Sequence, residues 1–419
     1  PAVKDMGKKK GKKDKNSVSQ FEAFSAAISG TVGTGNIIGV TSAILTGGPG
    51  AVLWMWISAF FGMVTNYSEN VLGLYYRQKE KDGSFSGGAF YYIAYGIKQR
   101  WLGMLAAIFC LLAAIGMSGV QTNKITGSYT AVLNNDSTAV KLIIGGIVAF
   151  FAAIVIIGGI KRIGRIASML VPFMSLLFIA MAFVIIGKNH TAIPETFRLI
   201  FTSAFSSKAV AGGVGGFAFS QIIKKGLARG VFSNEAGLGS SVIAHSASET
   251  REPVKQGLWG IFEVFFDTFV ICTLTALVIL TTNIGSGAYE NGSFFGTTNA
   301  AGDFVGASDS ATALGAFSSN LGTFGTVTFL IILPLFAFTT VLAWSYYGEK
   351  AVDFCFRHMP EKKRKIHSLR IKVIVFRDYY IDGDYAMQKS GFFTLPEENK
   401  AFHDFVANIR AGGGGDEPE

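Results

Sequence analysis

Gly30-Thr31-Val32-Gly33-Thr34-Gly35-Asn36 lies in the middle of an apolar run covering residues 21–48, long enough for a membrane helix. Glycines at this density break helical geometry, and lipid offers no hydrogen bond to the backbone groups so released. Unwound chain at membrane depth must therefore face protein or a water-filled cavity. A second apolar run, residues 209–223, carries Gly212-Gly213-Val214-Gly215-Gly216-Phe217. One glycine-rich segment alone reads most simply as close helix packing. Two of them, at corresponding places in two halves and each with polar neighbours, point to a binding site where broken helices meet at the bilayer midplane.

Composition agrees with a membrane reading. Half of the 419 residues are apolar, 16% are charged and Phe alone accounts for 37, a balance that excludes an ordinary soluble enzyme. Runs near the roughly 20 residues that span a bilayer occur at residues 21–48, 49–74, 101–133, 141–160, 166–187, 209–223, 257–282 and 324–347, eight segments in all. The net charge of +9 is not spread evenly. Lys4 to Lys15, Arg77 to Lys81, Lys161 to Arg165, Lys224 to Arg229 with Arg251 and Lys255, and Arg357 to Lys372 fall on one side if every segment crosses, whereas residues 283–322 hold no Lys or Arg. The positive-inside rule puts that loop outside and both termini in the cytoplasm. The basic clusters are then flanks of membrane segments attracted to anionic headgroups, and no nucleic-acid partner is expected. Cys110, Cys272 and Cys355 have no paired spacing and read as small core residues. The polar start followed by a full-length segment does not read as a cleavable signal peptide.

Five crossings ahead of the sixth segment reverse its direction. Segments one to five, about residues 21–187, and six onward then form an inverted repeat, each opening with its broken helix. The chain divides into a basic cytoplasmic tail (residues 1–20), a transporter-like core of about eight spans (residues 21–356) and a cytoplasmic C-terminal tail (residues 357–419). Within that tail only Ile366 to Phe376 is weakly apolar, so the second repeat reads as incomplete.

A broken helix bares N–H groups on one half and C=O groups on the other. The first break offers the amides of Thr34 and Gly35 to a carboxylate and the carbonyls from Ser29 to Val32 to a cation, with Asn36 adding a neutral oxygen. A zwitterionic amino acid matches both poles. Thr339 and Thr340, inside the apolar Leu330 to Trp344, either bond back to the preceding turn or complete an all-oxygen sodium site with the first-helix carbonyls. Gln121 and Asn123 either meet substrate or bond between helices. Glu69, Glu263 and Asp267 are intramembrane acids that need a cavity or a partner. Neither break carries an acid in this reading, which ranks sodium above protons as the coupling ion. His245, after a cytoplasmic-side stretch, reads as an ordinary loop or helix-end histidine. Gly33-Thr34-Gly35-Asn36 lacks the Lys and hydroxyl of a phosphate loop and follows no strand, so nucleotide binding is discarded.

Gly33-Thr34-Gly35-Asn36-Ile37-Ile38-Gly39-Val40, Gly47-Gly48-Pro49-Gly50-Ala51 and Trp54-Met55-Trp56 together resemble the alanine or glycine:cation symporter family. Arg229-Gly230-Val231-Phe232-Ser233-Asn234-Glu235-Ala236-Gly237, Phe336-Ala337-Phe338-Thr339-Thr340 and Trp344-Ser345-Tyr346-Tyr347-Gly348-Glu349 are similar to its other signatures, and the likeness covers about residues 17–356. The resemblance implies an all-α polytopic core with discontinuous first and sixth helices, which imports alanine or glycine with sodium by alternating access across the plasma membrane. It implies that Thr34, Gly35 and Asn36 form the substrate-binding turn, that Gln121 adds a third-helix contact, and that the run with Gly213, Gly216 and Phe217 is the second break. It also implies that Thr339 and Thr340 are the hydroxyl side of a sodium site whose carbonyls come from Ser29 and Val32. Two departures are expected: the family's extra N-terminal helix is missing, and the last two core helices have no counterpart after Phe356. They leave a second reading, a transport-inactive amino-acid-binding receptor or a truncated product of the same family. An enzyme is not expected, since no nucleophile with a base and no metal cluster is visible.

Overall fold

Ser19 starts the first helix with a capping box: its hydroxyl accepts from the Glu22 amide at 3.2 Å, and its own amide donates to the Glu22 carboxylate at 2.8 Å. Helix α1 (Gln20–Thr31) follows, helical geometry lapses at Val32 and Gly33, one 3-10 turn covers Thr34–Asn36, and α2 (Ile38–Gly47) continues at 54° to α1. The computed structural model describes residues 18–80, 83–133, 135, 137–205, 213–286, 296–298, 304–306, 308–357 and 359. The basic stretch Lys4 to Lys15, Gly212 and the segment Ile366 to Phe376 lie outside these.

Helix α3 (Ala51–Tyr75) explains what kind of solvent the fold is built for. Its inner face buries Asn66, Glu69 and Asn70, while its outer face presents Phe60, Phe61 and Val64, each more than 60% exposed. That is the reverse of a helix on a water-soluble protein, and it fits a surface covered by lipid. A short hairpin, β1 (Gln78–Lys79) with β2 (Phe85–Ser86), and α4 (Ala89–Gly96) lead to α5 (Arg100–Leu133), α6 (Thr138–Ile156), α7 (Gly159–Lys188) and the amphipathic α8 (Ile193–Ala204). The second half holds α9 (Gly213–Asn234), α10 (Ser241–Ser246), α11 (Pro253–Val264), a π-helical stretch Phe265–Cys272 and α12 (Thr273–Gly285). A second hairpin, β3 (Gly296–Thr298) with β4 (Phe304–Gly306), precedes α13 (Asp309–Cys355), which departs from helical geometry at Gly322 (φ 59°, ψ −143°).

Among the described residues five helical runs are long and apolar enough to cross a membrane, and the bent α1–α2 pair makes a sixth. Helices α3 and α9, at 25 and 22 residues, are about 37 and 33 Å long. The buried polar face of α3 is what lowers its hydropathy below that of an ordinary span. Helix α1 packs against α10 and α2 against α9, so the two broken helices lie antiparallel, as an inverted repeat requires.

The second break is displaced from where the glycine run put it. Residues Gly213 to Phe217 belong to α9, which runs unbroken to Asn234; the chain leaves the helix at Glu235 (φ 55°), Gly237 (φ 89°) and Gly239 (φ 70°). Glycine at the start of a helix interrupts nothing. The actual break is made by Asn234, whose side-chain oxygen accepts from the Ala236 amide at 3.1 Å and turns the backbone out of the helix. Lys224, Lys225 and Arg229 accordingly sit within α9 and not in a cytoplasmic link.

Candidate functional site

In an unbroken helix the amides of Gly33 and Thr34 would bond to the carbonyls of Ser29 and Gly30. Here the Gly33 amide donates to Asn36 Oδ1 at 2.9 Å, and the Thr34 amide and hydroxyl both donate to Gln121 Oε1, at 3.0 and 2.7 Å. The Asn36 amide turns to the Gly33 carbonyl at 3.2 Å, which also deprives Val32 of its helical donor. The carbonyls of Ser29, Gly30 and Val32 thus lose their usual partners on one side of the turn, while the donors of Thr34 gather on one oxygen at the other.

Gly33 permits the close approach that assembles this site: a Cβ there would lie 2.5 Å from Thr340 Oγ1 and 3.1 Å from Gln121 Nε2. Thr34, Asn36, Gln121 and Thr340, from three separate helical segments, are therefore brought together at the break. Both threonine hydroxyls of α13 donate backwards, Thr340 to the Phe336 carbonyl at 3.0 Å and Thr339 to those of Phe336 and Leu335 at 3.0 and 3.1 Å. Each oxygen keeps acceptor capacity. Thr339 faces Met174 of α7, whereas Thr340 faces the break. Phe217, with Gly213 and Gly216 before it, lies in the first turns of α9, about 26 Å of helix ahead of Asn234, and the structure does not bring these three to the broken end.

Asn36 works with both ends of its amide. Its oxygen holds Gly33, and its nitrogen donates to the Asp267 carboxylate and, at 3.4 Å, to Cys272 Sγ. Asp267 and Cys272 both belong to the π-helical stretch, where Thr268 Oγ1 also donates to Asp267 at 2.9 Å. The first break is thereby tied to the seventh span by a fully buried polar link.

The Sodium:alanine symporter family matches residues 1–380 of this sequence. The chain belongs to that family. It is 40% identical over 342 residues to the sodium/alanine symporter AgcS of Methanococcus maripaludis, covering 80% of this chain and 70% of that protein. It is 37% identical over 363 residues to the probable sodium/glutamine symporter GlnT of Bacillus subtilis, covering 86% and 70%. The crystal structure of MhsT in complex with L-phenylalanine shares the fold at a TM-score of 0.63 and 15% identity, over 95% of this chain and 87% of that one. A manganese transporter of Eremococcus coleocola does so at 0.53, over 86% and 69%. This member of the symporter family is an integral membrane transporter and not an enzyme.

Several buried polar residues at and near the two breaks have no counterpart in the sequence reading. Arg229, counted there as a cytoplasmic charge, packs its guanidinium against Gly35 and Gly39 at the start of α2, where a Cβ on either would overlap it. Its Nε and Nη2 find no hydrogen-bond partner among the described residues, and the guanidinium sits 4.7 Å from the Phe232 ring centre. The expectation that neither break carries an acid is also corrected. Glu235 is the first residue of the second break, its carboxylate accepting from Trp344 Nε1 at 2.9 Å and Ser240 Oγ at 2.5 Å. Glu69 of α3 accepts the Gly237 amide of the same loop at 3.1 Å. A cavity of about 320 Å³ opens beside this loop, lined by Gly237, Gly239, Ser240, Trp344, Tyr92 and Cys110 among others. The sequence of this break, Asn234-Glu235-Ala236-Gly237-Leu238-Gly239-Ser240, holds fewer glycines than the run ahead of it. Nor is His245 an ordinary helix-end residue: it is fully buried, 2.9 Å from Glu263.

Proposed function

We propose that the chain is a sodium-coupled symporter that imports small neutral amino acids, alanine or glycine, across the plasma membrane by alternating access. The observation that carries this reading is the pair of opposite poles on one turn: released carbonyls at Ser29 to Val32 and gathered donors at Thr34. Gln121 Oε1, which takes two hydrogen bonds from Thr34, occupies the role a substrate carboxylate would fill. A bound amino acid would take those donors, with the Gly35 amide and the positive end of α2 adding to the attraction. Sodium, as the second cargo, suits the carbonyls of Ser29 and Val32 with the hydroxyl of Thr340, all neutral oxygens, while Thr339 beside it faces Met174. The symporter names carried by two relatives support sodium and an amino acid as the cargo pair.

Coupling follows from linkage. Sodium and substrate on adjacent faces of one unwound turn each favour the conformation in which both are enclosed, so each raises the affinity of the other by the same factor. The basic flanks support an orientation with both ends of residues 21–356 in the cytoplasm.

The test is uptake of labelled alanine and glycine into proteoliposomes carrying the chain, with and without an inward sodium gradient. Accumulation above equilibrium that requires the gradient is the expected result. Saturable binding with no accumulation would refute transport and leave a receptor.

A further inference from the structure

Arg229 is a charged group at the first break that the symporter reading leaves unused. Its guanidinium lies against Gly35 and Gly39, so close that a Cβ on either would overlap it. These glycines belong to a stripe of small residues, Gly35, Gly39, Ala43 and Gly47, which recurs every four positions from the turn along α2. Lys225, Arg229 and Ser233 recur every four positions on α9 and so share one of its faces. Lys225 Cβ stands 2.9 Å from where a Cβ on Gly47 would be. Ser233 Oγ lies 3.2 Å from Cys272 Sγ, which Asn36 Nδ2 also approaches at 3.4 Å. The face of α9 thus runs from the exposed Lys225, beside the far end of α2, past Arg229 to the polar groups of the turn.

A guanidinium carries five N–H donors and no acceptor. Two of the Arg229 nitrogens, Nε and Nη2, are buried with no hydrogen-bond partner among the described residues. The Phe232 ring, 4.7 Å away, offsets part of the charge but takes up no in-plane donor. The acids whose charge reaches Arg229 are Asp267 and Asp309, and both are engaged elsewhere. Asp267 accepts from Asn36 Nδ2 and Thr268 Oγ1, and Asp309 pairs with Lys124 Nζ at 2.7 Å. The first turn of α2, a helix of 10 residues, brings the positive end of its dipole to the same spot. Positive potential and free donors therefore coincide inside a membrane span, where a charge without a counter-charge is costly. The missing counter-charge has to be small, because Gly35, Gly39 and Phe232 already crowd the guanidinium. Arg229 as a whole is only half-buried, which leaves such an ion a way in.

We propose that Arg229, with the first turn of α2, forms an anion-binding site that takes one small monovalent anion, a carboxylate or a halide. Two sources supply that chemistry. One is the α-carboxylate of the transported amino acid, drawn past Lys225 and Arg229 toward the Thr34 and Gly35 amides; the other is free chloride, held beside the cargo. The first source rests on the symporter reading, whereas the site itself does not.

Isothermal titration calorimetry of the purified full chain tests the site, with sodium and ionic strength held constant and bulky gluconate as the counter-anion. Bromide is the halide probe. Saturable binding to the unaltered chain that weakens at least tenfold in Arg229→Gln identifies a free halide as the occupant. Alanine and alaninamide, which lacks the carboxylate, are titrated in the same buffer. A loss of at least tenfold for alanine in Arg229→Gln, with alaninamide unchanged, identifies the amino acid as the source. Neither pattern appearing overturns the proposal. Unfolding temperatures in gluconate separate lost binding from lost folding: without its anion the unaltered chain carries an uncompensated charge, so Arg229→Gln should unfold at a temperature no lower. A markedly lower one would show that the protein satisfies the guanidinium by itself, and would also overturn the site. An unaltered chain that binds neither alanine nor alaninamide refutes the symporter reading and leaves the bromide titration to decide the site.

Discussion

Replacing Asn36 by Ala removes the one side chain that holds the first break from both sides. The neutral bond to the Gly33 amide is worth about 0.5–1.5 kcal/mol and the bond to the Asp267 carboxylate about 1.5–3 kcal/mol. If the unwound turn is the binding-competent geometry, Asn36→Ala should weaken alanine affinity by the sum, about 2–4.5 kcal/mol, or roughly 30- to 2,000-fold at 1.4 kcal/mol per tenfold. The sharper test is a cycle with Asp267→Ala. Because the two side chains share a bond, the double variant should be less impaired than the product of the singles by roughly 10- to 150-fold, the worth of that one charged bond. The assay is the alanine concentration giving half-maximal sodium-driven uptake, with thermal unfolding of each purified variant measured in parallel. Effects that multiply to within threefold would refute the link between the first and seventh spans. So would an Asn36→Ala variant of unchanged affinity.

Gly33→Ala places a methyl 2.5 Å from Thr340 Oγ1, and relieving the overlap should cost about 1–3 kcal/mol, read as a shift in both sodium and alanine half-saturation with folding retained. Trp344→Phe leaves the buried Glu235 carboxylate one donor short; a loss of about 1.5–3 kcal/mol in stability is expected, and Glu235→Gln in the same background should restore part of it. Arg77 reaches three backbone carbonyls, those of Ser246, Ser248 and Thr250, with a fork that lysine lacks, so Arg77→Lys should lower the unfolding temperature nearly as far as Arg77→Ala. An equal temperature for Arg77→Lys and the unaltered chain would show that the fork is not what holds the link after α10.

The first break was legible because its glycines coincide with its polar donors: Gly33 gives the close approach and Asn36 the cap within one heptapeptide. The second lies about 20 residues beyond the point to which glycine density directs it. The chain leaves α9 on a non-glycine residue, Glu235 at φ 55°, under the cap of Asn234, and only side-chain geometry marks that. Arg229 departs from its sequence expectation for a related reason. Its charge fitted an alternating pattern of basic loops, although in space it meets the backbone of Gly35 and Gly39. Thr339 and Thr340 show the limit of a sequence pair: adjacent helical residues point about 100° apart, so Thr340 faces the break and Thr339 faces Met174. His245 carried no local signal, since its partner lies 18 residues away on another helix.

The π-helical stretch Phe265–Cys272 carries one consequence for how such a site changes over generations. A π-bulge accommodates an extra residue without breaking the span, and that residue turns everything beyond it by about 100° about the axis. Glu263 lies before the bulge and Cys272 at its far end, with Asp267 inside it. Losing a single codon here would leave an intact membrane helix whose two halves are out of phase, Asp267 and Cys272 no longer facing Asn36 together. A one-residue deletion, invisible to hydropathy and harmless to insertion, would thus be enough to retire the link and free the helix for another cargo.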